Sequence, residues 1–164
     1  MLRPALVEKI KAYLAGVSPD SKVYIGCDSK RRKNEQDEWF ASYSTAVVIH
    51  VENSKGCKVF CDTEVMRDYD QRHDRPAMRM MNEAYKAVEA YQQLEDVLLE
   101  WDVEVHLDVN EDPKHGSNCA LSMTRGYVAG VTGLPVKVKP EAFAASYAAD
   151  HGVRGGFQKV FAGH

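Results

Sequence analysis

The chain has 164 residues, is 45% hydrophobic and 27% charged, and carries a net charge of −3. That length fits one domain, 1–164, with a real core and leaves no room for a second of ordinary size. The acidic balance excludes a protein that coats nucleic acid through bulk positive charge, no apolar run is long enough to span a membrane, and the first residues lack a secretion signal's apolar core, so a cytoplasmic address is expected.

Leu6, Ile10, Tyr13 and Leu14 recur at helical spacing, which predicts a helix over 3–15. Gly16 and Pro19-Asp20-Ser21 end it, so residues 1–20 form an N-terminal helix and linker. Val23, Ile25 and Cys27 alternate with Tyr24, Gly26 and Asp28 in a first strand, and the charged run Lys30–Glu38 is expected to be a solvated turn. Residues 39–51 are aromatic and β-branched, hence a second strand. Asn53-Ser-Lys-Gly56 turns the chain into a third strand, Cys57 to Val65, and completes an antiparallel meander. The polar stretch Arg67–Arg75 is expected to be an exposed loop, with Pro76 opening a long helix to about Leu99. A fourth strand, Val103 to Asp108, leads into the loop 110–116, and Ser117 is expected to cap a helix that ends near Gly130 or Gly133. Leu134–Lys139 is a short fifth strand, and Pro140 starts a last helix, Glu141 to Asp150. This order predicts an α/β fold. The meander is followed by two crossovers that place the fourth and fifth strands parallel to the first, in a mixed five-stranded sheet flanked by helices.

Four carboxylates stand apart from the chain's 24 acidic residues. Asp28 and Asp108 close apolar strands that the topology makes neighbours; each also has an ordinary reading as a turn residue bonding nearby backbone. Glu83 is the only charge in the helical stripe Pro76, Met80, Glu83, Ala87, Ala90, Leu94, with Glu64 and Glu89 as substitutes. Glu89 shares a face with Arg79, Asn82, Lys86 and Gln93, read as solvated. Asp150 follows Phe143 and Ser146/Tyr147 on one stripe, at a helix C-terminus where the dipole disfavours an anion. Unpaired carboxylates are costly to bury, and divalent cations are the economical way to hold a group of them. Two Mg²⁺ or Mn²⁺ ions on Asp28, Glu83, Asp108 and Asp150 would suit phosphodiester hydrolysis.

The four cysteines give no comparable signal. Cys57 and Cys61 on one strand would stand roughly 13 Å apart, too far for one ion, so all four are expected to be reduced and mostly packing. Ser29, Lys30, Arg31, Arg32, Asn110, His115 and Lys139 are the candidate substrate contacts, with His115 a possible proton shuttle to the leaving group. Arg67, Arg72 and Arg75 are further candidates for phosphate. Lys137 and Lys139 either reach the site or shield a sheet edge.

Tyr24-Ile-Gly-Cys-Asp-Ser29, Asn82-Glu83, His106-Leu-Asp-Val-Asn110, and Val136-Lys-Val-Lys-Pro-Glu-Ala-Phe-Ala-Ala-Ser146 with Ala149-Asp150 together resemble the YkuK-type ribonuclease H-like family, over nearly the whole chain. The resemblance implies a ribonuclease H fold, with Asp28, Glu83, Asp108 and Asp150 holding two divalent ions. It implies a nuclease acting on RNA, RNA/DNA hybrid or DNA. The contrasting expectation is a non-catalytic nucleic-acid- or protein-binding module on the same fold.

Overall fold

The structure, a computed structural model, describes residues 1–51, 56–72, 74–139, 141, 142 and 144. Its elements run α1 (Pro4–Ala15), β1 (Lys22–Lys33), β2 (Trp39–His50), β3 (Cys57–Arg67), α2 (Ala77–Leu98), β4 (Asp102–Asn110), a 3-10 helix (Gly116–Ala120), α3 (Leu121–Thr132) and β5 (Val136–Lys139). The sheet order is β3-β2-β1-β4-β5, with β1–β2 and β2–β3 antiparallel and β1–β4 and β4–β5 parallel, as the crossover argument requires. Most of the turn expected at 53–56, and the last helix beyond its first residues, lie outside the described residues. Among the described residues, no helix is long and apolar enough to cross a membrane.

Alternation along the strands sorts side chains between the two faces. Val23, Ile25, Val47, Ile49, Val103 and Val105 face the helices and join Leu6, Ile10, Ala84, Ala87 and Leu94 in the main core. On the opposite face Tyr24, Ala46, Val48, Val59 and Cys61 gather with Ala144. The α2 stripe is as expected: Pro76, Met80, Glu83, Ala87, Ala90 and Leu94 are all buried. Gly133 ends α3 in the left-handed region at φ 66°, its N–H donating to the Ala129 carbonyl.

Three expectations are corrected. The run Lys30–Glu38 is not all turn, because β1 continues to Lys33 in register with Trp39. Arg31 faces inward with its guanidinium 4.1 Å over the Trp39 ring, while Lys30 and Arg32 face out. A charged run can therefore be a strand when alternate charges find partners inside. Only Asn34–Glu38 turns the chain, where the Asn34 Oδ1 accepts the N–H groups of Gln36 and Glu38.

Residues 67–75, secondly, are not simply an exposed loop. Arg67 belongs to β3, and Asp68 and Asp70 are buried. The Asp70 carboxylate accepts the N–H groups of Met78 and Arg79, both at 3.0 Å, and so caps α2 from a distance. Thirdly, Ser117 does not cap α3: its Oγ accepts the Asn110 N–H, and a 3-10 helix comes first.

The loop after β4 is pressed against the segment before α2, and Gly116 is where they touch. A Cβ there would stand 2.0 Å from the Asp74 carbonyl oxygen. Gly116→Ala is therefore expected to cost roughly 1–3 kcal/mol, as overpacking does. Urea denaturation measures it, and a loss under about 0.5 kcal/mol, the size of an ordinary surface change, would show that the loop yields freely.

A candidate metal centre of three carboxylates

The ladder between β1 and β4 runs from Lys22↔Asp102 to Cys27↔Leu107 and stops. The next residue on each strand is an aspartate. The expectation that Asp28 and Asp108 close their strands is corrected: β1 runs on to Lys33 and β4 to Asn110, and each aspartate stands where two paired strands part, with β1 continuing on β2 and β4 meeting β5 through an irregular register. Both lie on the face opposite the α2-facing apolar residues. Glu83 comes from α2, 2% exposed, and joins them where the ladder has ended. One carboxylate oxygen from each of Asp28, Glu83 and Asp108 lies within 4.8 Å of the others.

Such crowding is electrostatically unfavourable without a cation. Burial, a hydrogen bond to Asp108 and the charge of Asp108 push the Asp28 carboxyl up to about 7. Burial holds Glu83 well above the usual carboxylate range, and Asp28 and Asp108 add to it, although Ser29 bonds its charged form. Lys139 pairs with Asp108 from the neighbouring strand β5. Burial works against its charge, but Asp108, Asp28 and Glu83 outweigh that and hold the ammonium above its ordinary range.

Glu83 is positioned by a chain of polar contacts. The Ser29 hydroxyl donates to Glu83 Oε1 at 2.5 Å, and Arg79 Nη1 donates to Ser29 Oγ at 3.2 Å. Behind them Asp68 takes Arg31 Nε at 2.6 Å and Arg79 Nε at 3.8 Å. Arg79 and Asp68 were missed by sequence reasoning. Arg79 had a readable signal, standing one helical turn before Glu83 on the same helix. Asp68 had none, since its partners come from elsewhere in the chain.

The other candidates are placed as follows. Lys30 and Arg32 are exposed on the face of β1 that carries Asp28, whereas the Arg31 guanidinium is turned inward to Asp68. Asn110 organises its loop, its Oδ1 accepting the Asp112 N–H and its carbonyl accepting from Asn118. His115 is exposed just before the 3-10 helix and is not one of the clustered groups. Glu64 instead pairs with Lys86, which is buried rather than solvated as its helix face suggested, and Glu89 is outside the cluster too. Lys137 lies 3.7 Å from Glu141, while Lys139 reaches the site. Asp150 lies outside the described residues. The four cysteines are free, with Cys27 and Cys61 buried and Cys57 exposed rather than packing.

A family model described as Ribonuclease H-like matches residues 5–154. No curated protein and no solved structure matches the chain.

Proposed function

The chain belongs to the ribonuclease H-like family, and on that premise we propose that it is a metal-dependent nuclease, hydrolysing phosphodiester bonds in RNA, RNA/DNA hybrid or structured nucleic acid. The observation that carries this reading is the approach of the Asp28, Glu83 and Asp108 oxygens to within 4.8 Å of one another. The donor set fits the ions expected of it: hard carboxylate oxygens suit Mg²⁺ or Mn²⁺, and neutralisation by a cation relieves the repulsion that raises Asp28 and Glu83. Asp28, Glu83 and Asp108 would hold the metal, with Asp150 the fourth carboxylate of the proposed set. A pair of such ions supplies Lewis-acid stabilisation of the attacking and leaving oxygens of an in-line displacement.

The chain's own residues supply position and charge. Ser29, itself held by Arg79, fixes one oxygen of Glu83 and favours its ionised form. Asp28 must lose its proton for the site to load. Lys139, which pairs with Asp108, would be free to meet a substrate phosphate if Asp108 were holding a metal. No protein nucleophile is needed.

The test is cleavage of a labelled panel of RNA/DNA hybrid, single-stranded RNA, single-stranded DNA, duplex DNA and a branched junction, each with Mg²⁺, Mn²⁺ or EDTA. Metal-dependent cutting of any member is the expected result, and its identity names the substrate. The second reading, a non-catalytic binding module, is favoured by one observation: Lys139 already gives Asp108 a cation. Nucleic-acid binding with no cutting under any metal would decide for it.

A further inference from the structure

Most described cations are taken up in ion pairs. Arg67 pairs with Glu38 and Arg72 with Asp74, which removes two of the arginines that the sequence offered for phosphate. Among the described lysines and arginines, those without an ion-pair partner are Lys9, Lys30, Arg32, Lys58, Arg75 and Lys114. Arg75 and Lys114 line the same cavity, about 580 Å³ in volume, together with Asp74, His115, Gly116 and Asn118. That volume falls in the roughly 300–1,000 Å³ range of ligand sites.

The nearby acids are engaged elsewhere. Asp74 is held by Arg72 at 2.5 Å, Glu111 by Arg125 at 2.9 Å, and the Asp112 carboxylate accepts the Lys114 backbone N–H at 3.0 Å. The walls are also fixed in advance. Gly116 lies against the Asp74 backbone, and the Asn118 amide donates to the carbonyls of Asn110 and Glu111. One wall is the loop that follows Asp108, and the other immediately precedes the helix that carries Glu83. The cavity is thus built by the chain segments that lead away from Asp108 and into the helix of Glu83, and none of the three carboxylates lines it. Lys30 and Arg32, also without an ion-pair partner, are exposed along β1 on the face of Asp28.

We propose that this cavity is a phosphate-binding subsite, in which Arg75 and Lys114 grip the sugar–phosphate backbone of a nucleic-acid strand away from the bond that is cut. The inference rests on the nuclease reading for the identity of its ligand. A backbone phosphate fits better than a free small anion, because the two cations line an open-sided space built from segments continuous with the elements that carry Asp108 and Glu83, a site read as acting on a polymer.

The experiment measures binding of labelled single-stranded RNA and RNA/DNA hybrid by fluorescence anisotropy, in Ca²⁺ buffer over a series of salt concentrations. It compares the wild type, the Arg75→Ala/Lys114→Ala protein and a Lys9→Ala control. Each lost phosphate contact lowers the slope of log affinity against log salt by about 0.7–0.9, so the double variant should lose about 1.5 and bind roughly tenfold more weakly. Lys9→Ala should match the wild type, and Mn²⁺ binding should be the same in all three. An unchanged slope and affinity in the double variant would overturn the subsite, while leaving the nuclease reading intact if the wild type still cuts. Weaker binding by the double variant, beside a wild type that binds but never cuts, would retain the subsite and sink the nuclease.

Discussion

Asp28→Asn is expected to abolish metal-dependent cleavage while making the metal-free protein more stable. Asp28 clusters with Glu83 and Asp108 and, in the proposed function, contributes to holding the metal. Losing a ligand of a two-ion site should lower the rate by about three orders of magnitude or more, on the order of 4 kcal/mol of transition-state stabilisation. The opposite effect on stability comes from the same crowding. An asparagine keeps the shape, carries no charge to bury and no longer repels its neighbours. Cleavage assays and thermal melts with and without Mn²⁺ measure both effects. A variant that is inactive but less stable without metal would make Asp28 a structural residue, and the nuclease reading would lose its main support.

The pH dependence has a definite sign. In the folded protein Asp28 is pushed up from 3.8 to about 7, so between those values the native state binds its proton more tightly than the unfolded chain. Stability without metal should therefore fall as pH rises from about 4 to about 7, by on the order of 2–4 kcal/mol from this group. In Asp28→Asn that part of the slope should vanish. In the proposed function metal should reverse the trend, because it would bind the ionised carboxylate. The Mn²⁺-induced rise in melting temperature should grow as pH increases through 7. A Mn²⁺ effect that does not vary with pH between 6 and 8 would contradict the coupling.

The parts of this arrangement that were legible in the sequence are those governed by periodicity and topology. Glu83 stood out because every other residue of its helical stripe is apolar, and the structure buries the whole stripe. Asp28 and Asp108 were expected to be neighbours because right-handed crossovers set β4 beside β1, and the ladder now ends one residue before both. What was not legible depends on partners distant in the chain. Arg31 looked like one charge among many in a turn, but Asp68 and Trp39 draw it inside. Asp70 looked solvated, but it serves as the cap of a helix that begins several residues later. Charge runs report average polarity, whereas burial of a charge is settled by one complementary group that local sequence does not reveal.

Asp68→Asn should be the most destabilising single change outside the apolar core, and its effect should reach the metal site. The Asp68 side chain is 1% exposed, and its partners Arg31 and Arg79 are 9% and 15% exposed. The substitution keeps the volume but removes the only anion that Arg31 and Arg79 share among the described residues. Breaking a buried pair from one side typically costs about 3–5 kcal/mol, because the remaining charges stay desolvated. For a domain of this size that is a fall in melting temperature of about 10 °C. Arg79 is also the residue that donates to Ser29, which in turn donates to Glu83. Loosening Arg79 should let the Glu83 carboxylate turn away from Asp28 and Asp108. Supporting partners of metal ligands are worth about 10–100-fold in affinity, so Mn²⁺ should bind the variant at least about tenfold more weakly. Ser29→Ala separates the two roles: it leaves the Asp68 pairs in place and should weaken Mn²⁺ binding with a smaller loss of stability. If Asp68→Asn melts lower yet binds Mn²⁺ as tightly as the wild type, the network only holds β1 to α2, and Glu83 owes its position to α2 packing alone.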